Sequence, residues 1–359
     1  KGCAQTYAAL TAAWAARPER WPPAVRELAA RLERYLVFGS LNSQVMLEYG
    51  VLTLAAGGTM VVADPPSLPD ALARHRASAS VITVPRLYQL VREQRERPVD
   101  LGSLRALLVS GSPLEPGRLR EAMLVLGPVI FHGYGQTETG MITMLTPDEM
   151  TATPATLATV GRPPAANTLE IRDAEGRRLP VGAEGELYVR TPAQALGYWR
   201  DPVETAEVFT GGWVRTRDLA RIGPDGYLRL LGRLRDVVIV NANLVHVGPI
   251  ERLMAGHPDV AEVYVVGAPD EQTGEAAHAF VVPADPHRVP DPDVLRTLVA
   301  ERFGAAAVPA TVTMIDQVPV SATGKPDKAA LLTGPFAPVA ALPPRRARGV
   351  ETLLSPSAE

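Results

Sequence analysis

The 359-residue chain has 46% apolar residues, a net charge of −3 and one cysteine. Its apolar content supports packed cores and excludes global disorder, and its length allows two domains or one large one. Interspersed charges exclude a basic nucleic-acid-binding field, and the lone cysteine excludes a disulfide framework or zinc spacing. No signal peptide or bilayer-spanning apolar run is read, so a reducing, cytoplasmic setting is expected.

The chain opens on "KGCAQTYAALTAAWAARPERW" (1–21), a Lys-Gly pair followed by a helix. Without an initiator methionine it reads as processed, truncated or incompletely recorded. From 59 to 132 strands and helices alternate. "GTMVVAD" reads as a buried strand, "SVITVP" as a second with a helix from Pro85 to about Glu96, and "LRALLVSG" as a third. Pro116 opens a helix that stops at Gly127, and "PVIFHGYG" is a fourth strand. Apolar runs between helices predict a parallel sheet covered on both faces, with ligands beyond the carboxyl ends of its strands. "SGSP" (110–113) and "GYGQTE" (133–138) lie at such ends.

From about 155 to 234, "NTLEIRD", "GELYVR", "WVRTRDLARI" and "GYLRLLG" read as short strands of a small β-barrel, with "PDGY" (224–227) as a hairpin turn. Beyond 236 the pattern is α+β. "DVVIV", "AEVYVVGAP", "HAFVVPA" and "TVTMIDQVP" are strands, while "GPIERLMAGH" and about 291–303 are helices. The tail is proline-rich.

"FHGYGQTETG" (131–140) sets Glu138 beside a donor-rich glycine stretch that would otherwise welcome an anion. A magnesium ion held by both the carboxylate and a phosphate oxygen reconciles the two. The plainer reading is an exposed turn with a solvated glutamate.

"YGQTETG", "GELYVR…LGYW", "WVRTRDL", "GYLRLLGRLRD" and "PVSATGKPDKAAL" follow in this order. Together they resemble the adenylate-forming superfamily of acyl- and aryl-CoA ligases, nonribosomal peptide synthetase adenylation domains and firefly-type luciferases. The resemblance implies an α/β fold. Residues 1–155 would be part of an adenylating core of parallel sheet, and 156–234 its β-barrel subdomain. Residues 235–335 would form a mobile α+β lid, and 336–359 a tail. The opening Lys1-Gly2 resembles the close of the family's phosphate loop, which implies an N-terminal segment of the same protein as a partner of this chain.

The implied reaction joins a carboxylic acid to AMP at the expense of ATP, then to the thiol of coenzyme A. The alternative acceptor is a carrier-protein phosphopantetheine, and a non-catalytic adenylate-binding relative ranks last. ATP, Mg²⁺ and coenzyme A are the implied cofactors, and a homodimer is compatible with the family. Glu138 would be the metal ligand and Thr137 a phosphate contact. The Tyr134 ring would lie on adenine, with Gly133 and Gly135 allowing close backbone approach. Gly111 and Ser112 would flank adenine, and Lys1 would reach phosphate. Asp218, read as ending a strand, would accept both ribose hydroxyls, with Arg233 on the ribose-phosphate side. Lys325 would bridge the incoming carboxylate and the α-phosphate, since helix-dipole stability does not explain a lysine at a helix start. Arg235 falls at the family's hinge. The acyl pocket would draw on Asn42, Ser43, His132, Gly133, Gly140 and Met141.

The sequence also departs from the family pattern. Asn241 and Ala242 stand at a glycine pair that helps form the thiol channel, and Arg217 and Thr191 replace other common glycines. Asn42 or Ser43 takes the place of a histidine near the acyl pocket.

Overall fold

The computed structural model describes residues 2–12, 23–41, 43–62, 67–111, 114–234, 236–320 and 326–333. Lys1, Asn42, Ser112, Arg235, Lys325 and the tail 336–359 lie outside them. β1 (Cys3–Ala4), α1 (Tyr7–Thr11) and α2 (Pro23–Ala29) come first. An alternating run follows: β2 (Arg34–Val37), α3 (Gln44–Ala55), β3 (Thr59–Val62), α4 (Leu68–Arg74), β4 (Ala79–Thr83), α5 (Val84–Glu96), β5 (Ala106–Ser110), α6 (Pro116–Leu126) and β6 (Ile130–Gln136). β7 (Gly140–Leu145) then turns back on β6.

These strands form one sheet in the order β3-β2-β4-β5-β6-β7. The first five are parallel and β7 is antiparallel. Alternation along the strands sends Leu36, Ile82, Leu107, Ile130 and Leu145 into one core with α4, α5 and α6. Tyr35, Val81, Leu108, Phe131 and Met144 point to the opposite core with α2 and α3. Each fully buried leucine contributes roughly 2–3 kcal/mol of burial free energy. Helix α6 starts where Pro116 needs no donor and the Glu115 carboxylate accepts the Arg118 N–H at 2.8 Å.

Two readings change. "GTMVVAD" gives an edge strand, not a buried one, with Val62 69% exposed, because β3 ends the sheet. The four-residue β2 and the return strand β7 also join the sheet, although neither was read as a strand.

α7 (Pro147–Ala152) leads to β8 (Thr168–Arg172), β9 (Gly185–Arg190), β10 (Gly197–Tyr198), α8 (Pro202–Val208), β11 (Phe209–Thr210), β12 (Trp213–Ile222) and β13 (Leu228–Arg233). The pairing path runs β8-β9-β12, with β11 and β13 both on the far edge of β12. A small barrel was expected here, and among the described residues no β8–β13 pairing closes the path. Instead, the Val160 N–H donates to the Leu228 carbonyl, and Met144 bridges Arg162, which ties this sheet to β7.

The last unit holds β14 (Val237–Val240), β15 (Asn243–His246), α9 (Val247–Ala255), β16 (Val260–Asp270), β17 (Gly274–Pro283), α10 (Pro292–Phe303), β18 (Thr311–Met314) and α11 (Lys328–Thr333). Its sheet runs β15-β14-β17-β16, with β18 parallel to β17. Arg252 donates to the Leu231 carbonyl at 2.7 Å and Arg92 to the Ala284 carbonyl at 3.3 Å, joining this unit to the rest. Among the described residues no helix is long and apolar enough to cross a membrane.

Candidate active site

Strand β6 carries the centre of the site. Asp218 lies inside β12 and does not end a strand, as the sequence had suggested. It sits opposite Arg233 on β13, where the pairing of β12 with β9 breaks between Arg215 and Leu219. The break has a local cause. Arg217 adopts φ 60°, a left-handed conformation that favours glycine, while its guanidinium is held by Glu204 and Glu207. The Asp218 side chain is thereby turned inward, 5% exposed.

Three donor contacts surround that carboxylate. The Tyr134 hydroxyl and the Gln136 Nε2 (2.8 Å) donate to Oδ2, and Arg233 Nε donates to Oδ1 at 3.2 Å. Gln136 also donates to the Thr216 carbonyl at 3.1 Å, which fixes its amide. Burial pushes the Asp218 carboxyl above the usual carboxylate range, against the opposing pull of Tyr134, Arg233 and Gln136. Tyr134 therefore reaches the expected ribose group directly. Gln136 was missed, although its place two residues after Tyr134 on a strand was a usable signal.

The turn 137–139 follows. The Tyr198 hydroxyl donates to Glu138 Oε1 at 2.6 Å, and the Ala195 N–H donates to the Glu138 carbonyl at 2.9 Å. Tyr198 stands on β10, which pairs with β1 through Cys3. Burial, and then the charge of Glu138, pushes the Cys3 thiol up to about 11. The exposed Thr137 receives a 2.7 Å hydrogen bond from Gln5 on its carbonyl. Tyr198 belongs to the "LGYW" motif, yet its partner was not legible from the sequence.

A magnesium ion fits this turn by donor chemistry. Glu138 keeps Oε2 outside its bond to Tyr198, and the Thr137 hydroxyl is a second hard oxygen. Among the described residues no group of three or more His, Cys, Asp or Glu could hold a metal by itself.

The glycines of this stretch also have packing roles. A Cβ at Gly135 would fall 2.4 Å from the Gly140 carbonyl oxygen, and one at Gly133 would fall 3.3 Å from Leu108. Their smallness serves the β6–β7 bulge and the neighbouring strand. Gly140 has φ 66° and Gly111, at the end of β5, has φ 98°. Among the described residues no atom lies within 4 Å of where a Cβ on Gly111 would stand.

The presumed acyl wall divides. Ser43 opens α3 without a side-chain cap bond, and Val45 and Met46 follow on that helix against the core containing Met60 and Met141. The Tyr49 hydroxyl meets Met141 Sδ at 3.5 Å. His132 does not join them. It pairs with Leu145 and lies on the opposite face of the sheet, because side chains alternate along β6. Burial pushes its imidazole down to about 4, and its Nδ1 has no hydrogen-bond partner among the described residues.

Asn241 (φ 49°) and Ala242 (φ 62°) keep the left-handed backbone of a glycine pair. Thr191 does not, and its hydroxyl accepts the Ala193 N–H at 3.2 Å. Five expected site residues, Lys1, Asn42, Ser112, Arg235 and Lys325, are outside the described residues.

A family model for AMP-binding enzymes matches residues 1–199, and one for the AMP-binding enzyme C-terminal domain matches 249–325. The chain belongs to the AMP-binding enzyme family. Fatty acid–[acyl-carrier-protein] ligase ScoC of Streptomyces coeruleorubidus is 38% identical over 227 residues, covering 63% of this chain and 44% of that protein. Medium/long-chain-fatty-acid–CoA ligase FadD8 of Mycobacterium tuberculosis is 34% identical over 289 residues, covering 78% of this chain and 50% of that protein. The solved structure of the amide bond synthetase McbA from Marinactinospora thermotolerans matches at a TM-score of 0.79 and 38% identity, covering 93% of this chain and 67% of that one. The chain spans about half the length of these curated relatives. The family and its mixed α/β fold are those read from the motifs.

Proposed function

We propose that the protein containing this chain activates a carboxylic acid with ATP as an acyl-adenylate and transfers the acyl group to the thiol of coenzyme A. One observation carries the reading. A buried Asp218, bonded to Tyr134 and Gln136 of β6, lies next to the turn that holds Thr137 and Glu138. The proposed ribose carboxylate, on β12, and the proposed metal-side carboxylate, in the turn after β6, are thus brought together by the side chains of β6.

In this reading the ribose hydroxyls bind at Asp218 Oδ1. The contact they displace is the Arg233 Nε bond, the longest of the set, whose side chain is 64% exposed. Arg233 then turns its permanent charge to the phosphates. Tyr134 and Gln136 hold Oδ2 throughout. Glu138 and Thr137 would hold Mg²⁺, which when bound with ATP offsets phosphate charge. Lys325 would neutralise charge where the acid meets the α-phosphate. The unit after Leu234 would move as a lid about Arg235. A cytoplasmic location belongs to the same reading.

A second acceptor class has support. ScoC is named for an acyl-carrier-protein acceptor and McbA for amide synthesis, and each is 38% identical. The adenylate half is common to all these readings. The test is ATP–pyrophosphate exchange by the complete protein over fatty, aryl, amino and polycyclic acids. Accepted acids are then offered coenzyme A, a holo carrier protein or an amine. Exchange with some acid and a thioester with coenzyme A are expected. No exchange with any acid overturns the reading, and transfer to another acceptor alone replaces its second half.

A further inference from the structure

Gln5 has no role in the reaction proposed above, yet its side chain touches the catalytic turn. Its Nε2 donates to the Thr137 carbonyl at 2.7 Å, and its Oε1 accepts from Gln44 Nε2 at 3.3 Å. Gln44 is the first residue of α3, the helix that carries Val45, Met46 and Tyr49 on the presumed acyl side. Two amides thus span from the start of that helix to the backbone between Gln136 and Glu138. The sequence separations are 39 and 132 residues, so no local chain connection enforces either contact.

The turn needs such support. The Thr139 N–H reaches the Gln136 carbonyl at 3.1 Å, which closes the turn on itself. From outside, Ala195 and Tyr198 hold Glu138. Gln5 alone, among the hydrogen bonds between described residues, reaches the Thr137 carbonyl. An amide is suited to this place because it donates to one neighbour and accepts from the other with no charge near the phosphates. A glutamate there would keep the shape and the acceptor, but it would face the Thr137 carbonyl with a carboxylate.

We propose that Gln5 is a positioning residue that, with Gln44, straps the Thr137–Glu138 turn to helix α3. The strap makes the placement of the metal-side carboxylate depend on the helix against which the acid binds. An acid that shifts the start of α3 changes the fit of Mg·ATP, and one that leaves it in place does not. The proposal rests on the acid-activating reading above.

The test compares Gln5→Ala, Gln5→Glu and Gln44→Ala in the complete protein. The first readout is amide hydrogen exchange at Thr139 and Ala195 without nucleotide or acid, with the amides of α10 as internal control. Gln5→Ala and Gln5→Glu should speed exchange at both amides by roughly three- to tenfold, the range set by one hydrogen bond of ordinary net strength. Gln44→Ala should have a smaller effect, and α10 should not change. The second readout is the Mg²⁺ dependence of pyrophosphate exchange. Gln5→Glu should raise the half-saturating Mg²⁺ concentration by a similar factor and leave the rate at saturating Mg²⁺ within about twofold. Unchanged amide exchange overturns the strap whatever the activity. Faster amide exchange with a silent wild-type enzyme leaves the strap standing and defeats the acid-activating reading instead. A drop in rate at saturation without a shift in Mg²⁺ dependence overturns the positioning role.

Discussion

Two carboxylates stand at either end of one short stretch, and they are held in different ways. Asp218 is 5% exposed and is gripped by Tyr134, Gln136 and Arg233, whose side chains come from two strands of different sheets. Glu138 sits in a turn, and among the described residues its carboxylate is held by the hydroxyl of Tyr198. The difference follows from what each group is proposed to bind. A ribose diol is a fixed shape that rewards a rigid acceptor, whereas a metal ion needs a carboxylate oxygen left over.

The sharpest way to break the comparison is Asp218→Asn. Its amide cannot accept from every donor that now surrounds the carboxylate, so both the nucleotide site and the local fold should suffer. ATP use should fall about 10³-fold in pyrophosphate exchange. Unfolding in urea should show a loss of about 2–3 kcal/mol, because buried donors lose a charged acceptor. An unchanged stability would mean that Asp218 is not held as tightly as its hydrogen bonds indicate.

Next comes pH. His132 precedes Tyr134 by two residues on β6, and burial lowers its pKa from 6.5 to about 4. The unfolded chain takes up a proton near 6.5, and the folded one does so only near 4. Stability is therefore kept above the upper value and lost as pH falls toward the lower, by on the order of 3 kcal/mol. Urea unfolding at pH 7.5 and pH 4.5 measures it, and His132→Leu should flatten the dependence. A flat wild-type profile contradicts the buried neutral imidazole.

Glu138→Gln should separate the two ends. Its amide oxygen can still accept from Tyr198, so stability should stay within about 0.5 kcal/mol. Exchange activity should fall roughly 10²-fold, and the Mg²⁺ requirement should rise, since an amide is a poor ligand for a hard cation. A large stability loss here would make the two carboxylates alike.

The smallest effect is expected away from both. Ala242 has φ 62°, so Ala242→Gly should stabilise the C-terminal unit by up to about 1 kcal/mol and leave ATP use unchanged. Thermal unfolding and exchange kinetics together check this. A change in ATP use would show that the strained loop reaches the nucleotide site.

Much of the fold was legible because its signals are local. Val84, Leu87, Leu90 and Val91 repeat at helical spacing on α5, and Pro116 marks the start of α6. The strand ending in "FHGYG" was read from a continuous apolar run before a turn. β2 was missed because four residues carry too little periodicity to separate a strand from a loop. β3 was read as buried because its composition is that of a central strand, and only the sheet order places it at an edge.

The site divides in the same way. Ordered motifs alone named Tyr134, Thr137, Glu138, Asp218 and Arg233 as candidates, because the family they resemble places set residue types at these positions. The left-handed backbone at Arg217, Asn241 and Ala242 was foreshadowed by the glycines expected there. Which side chains meet was a tertiary matter. That Gln136 shares Asp218 with Tyr134, that Tyr198 holds Glu138, and that Gln5 reaches across 132 residues to Thr137 depends on how three sheets are packed together. His132 was placed with the acyl pocket by its neighbours in sequence, and strand alternation put it on the other face. Sequence specifies what a residue can do within its own turn or strand. Contacts between distant segments follow from sheet order and register, which burial of the whole core fixes at once.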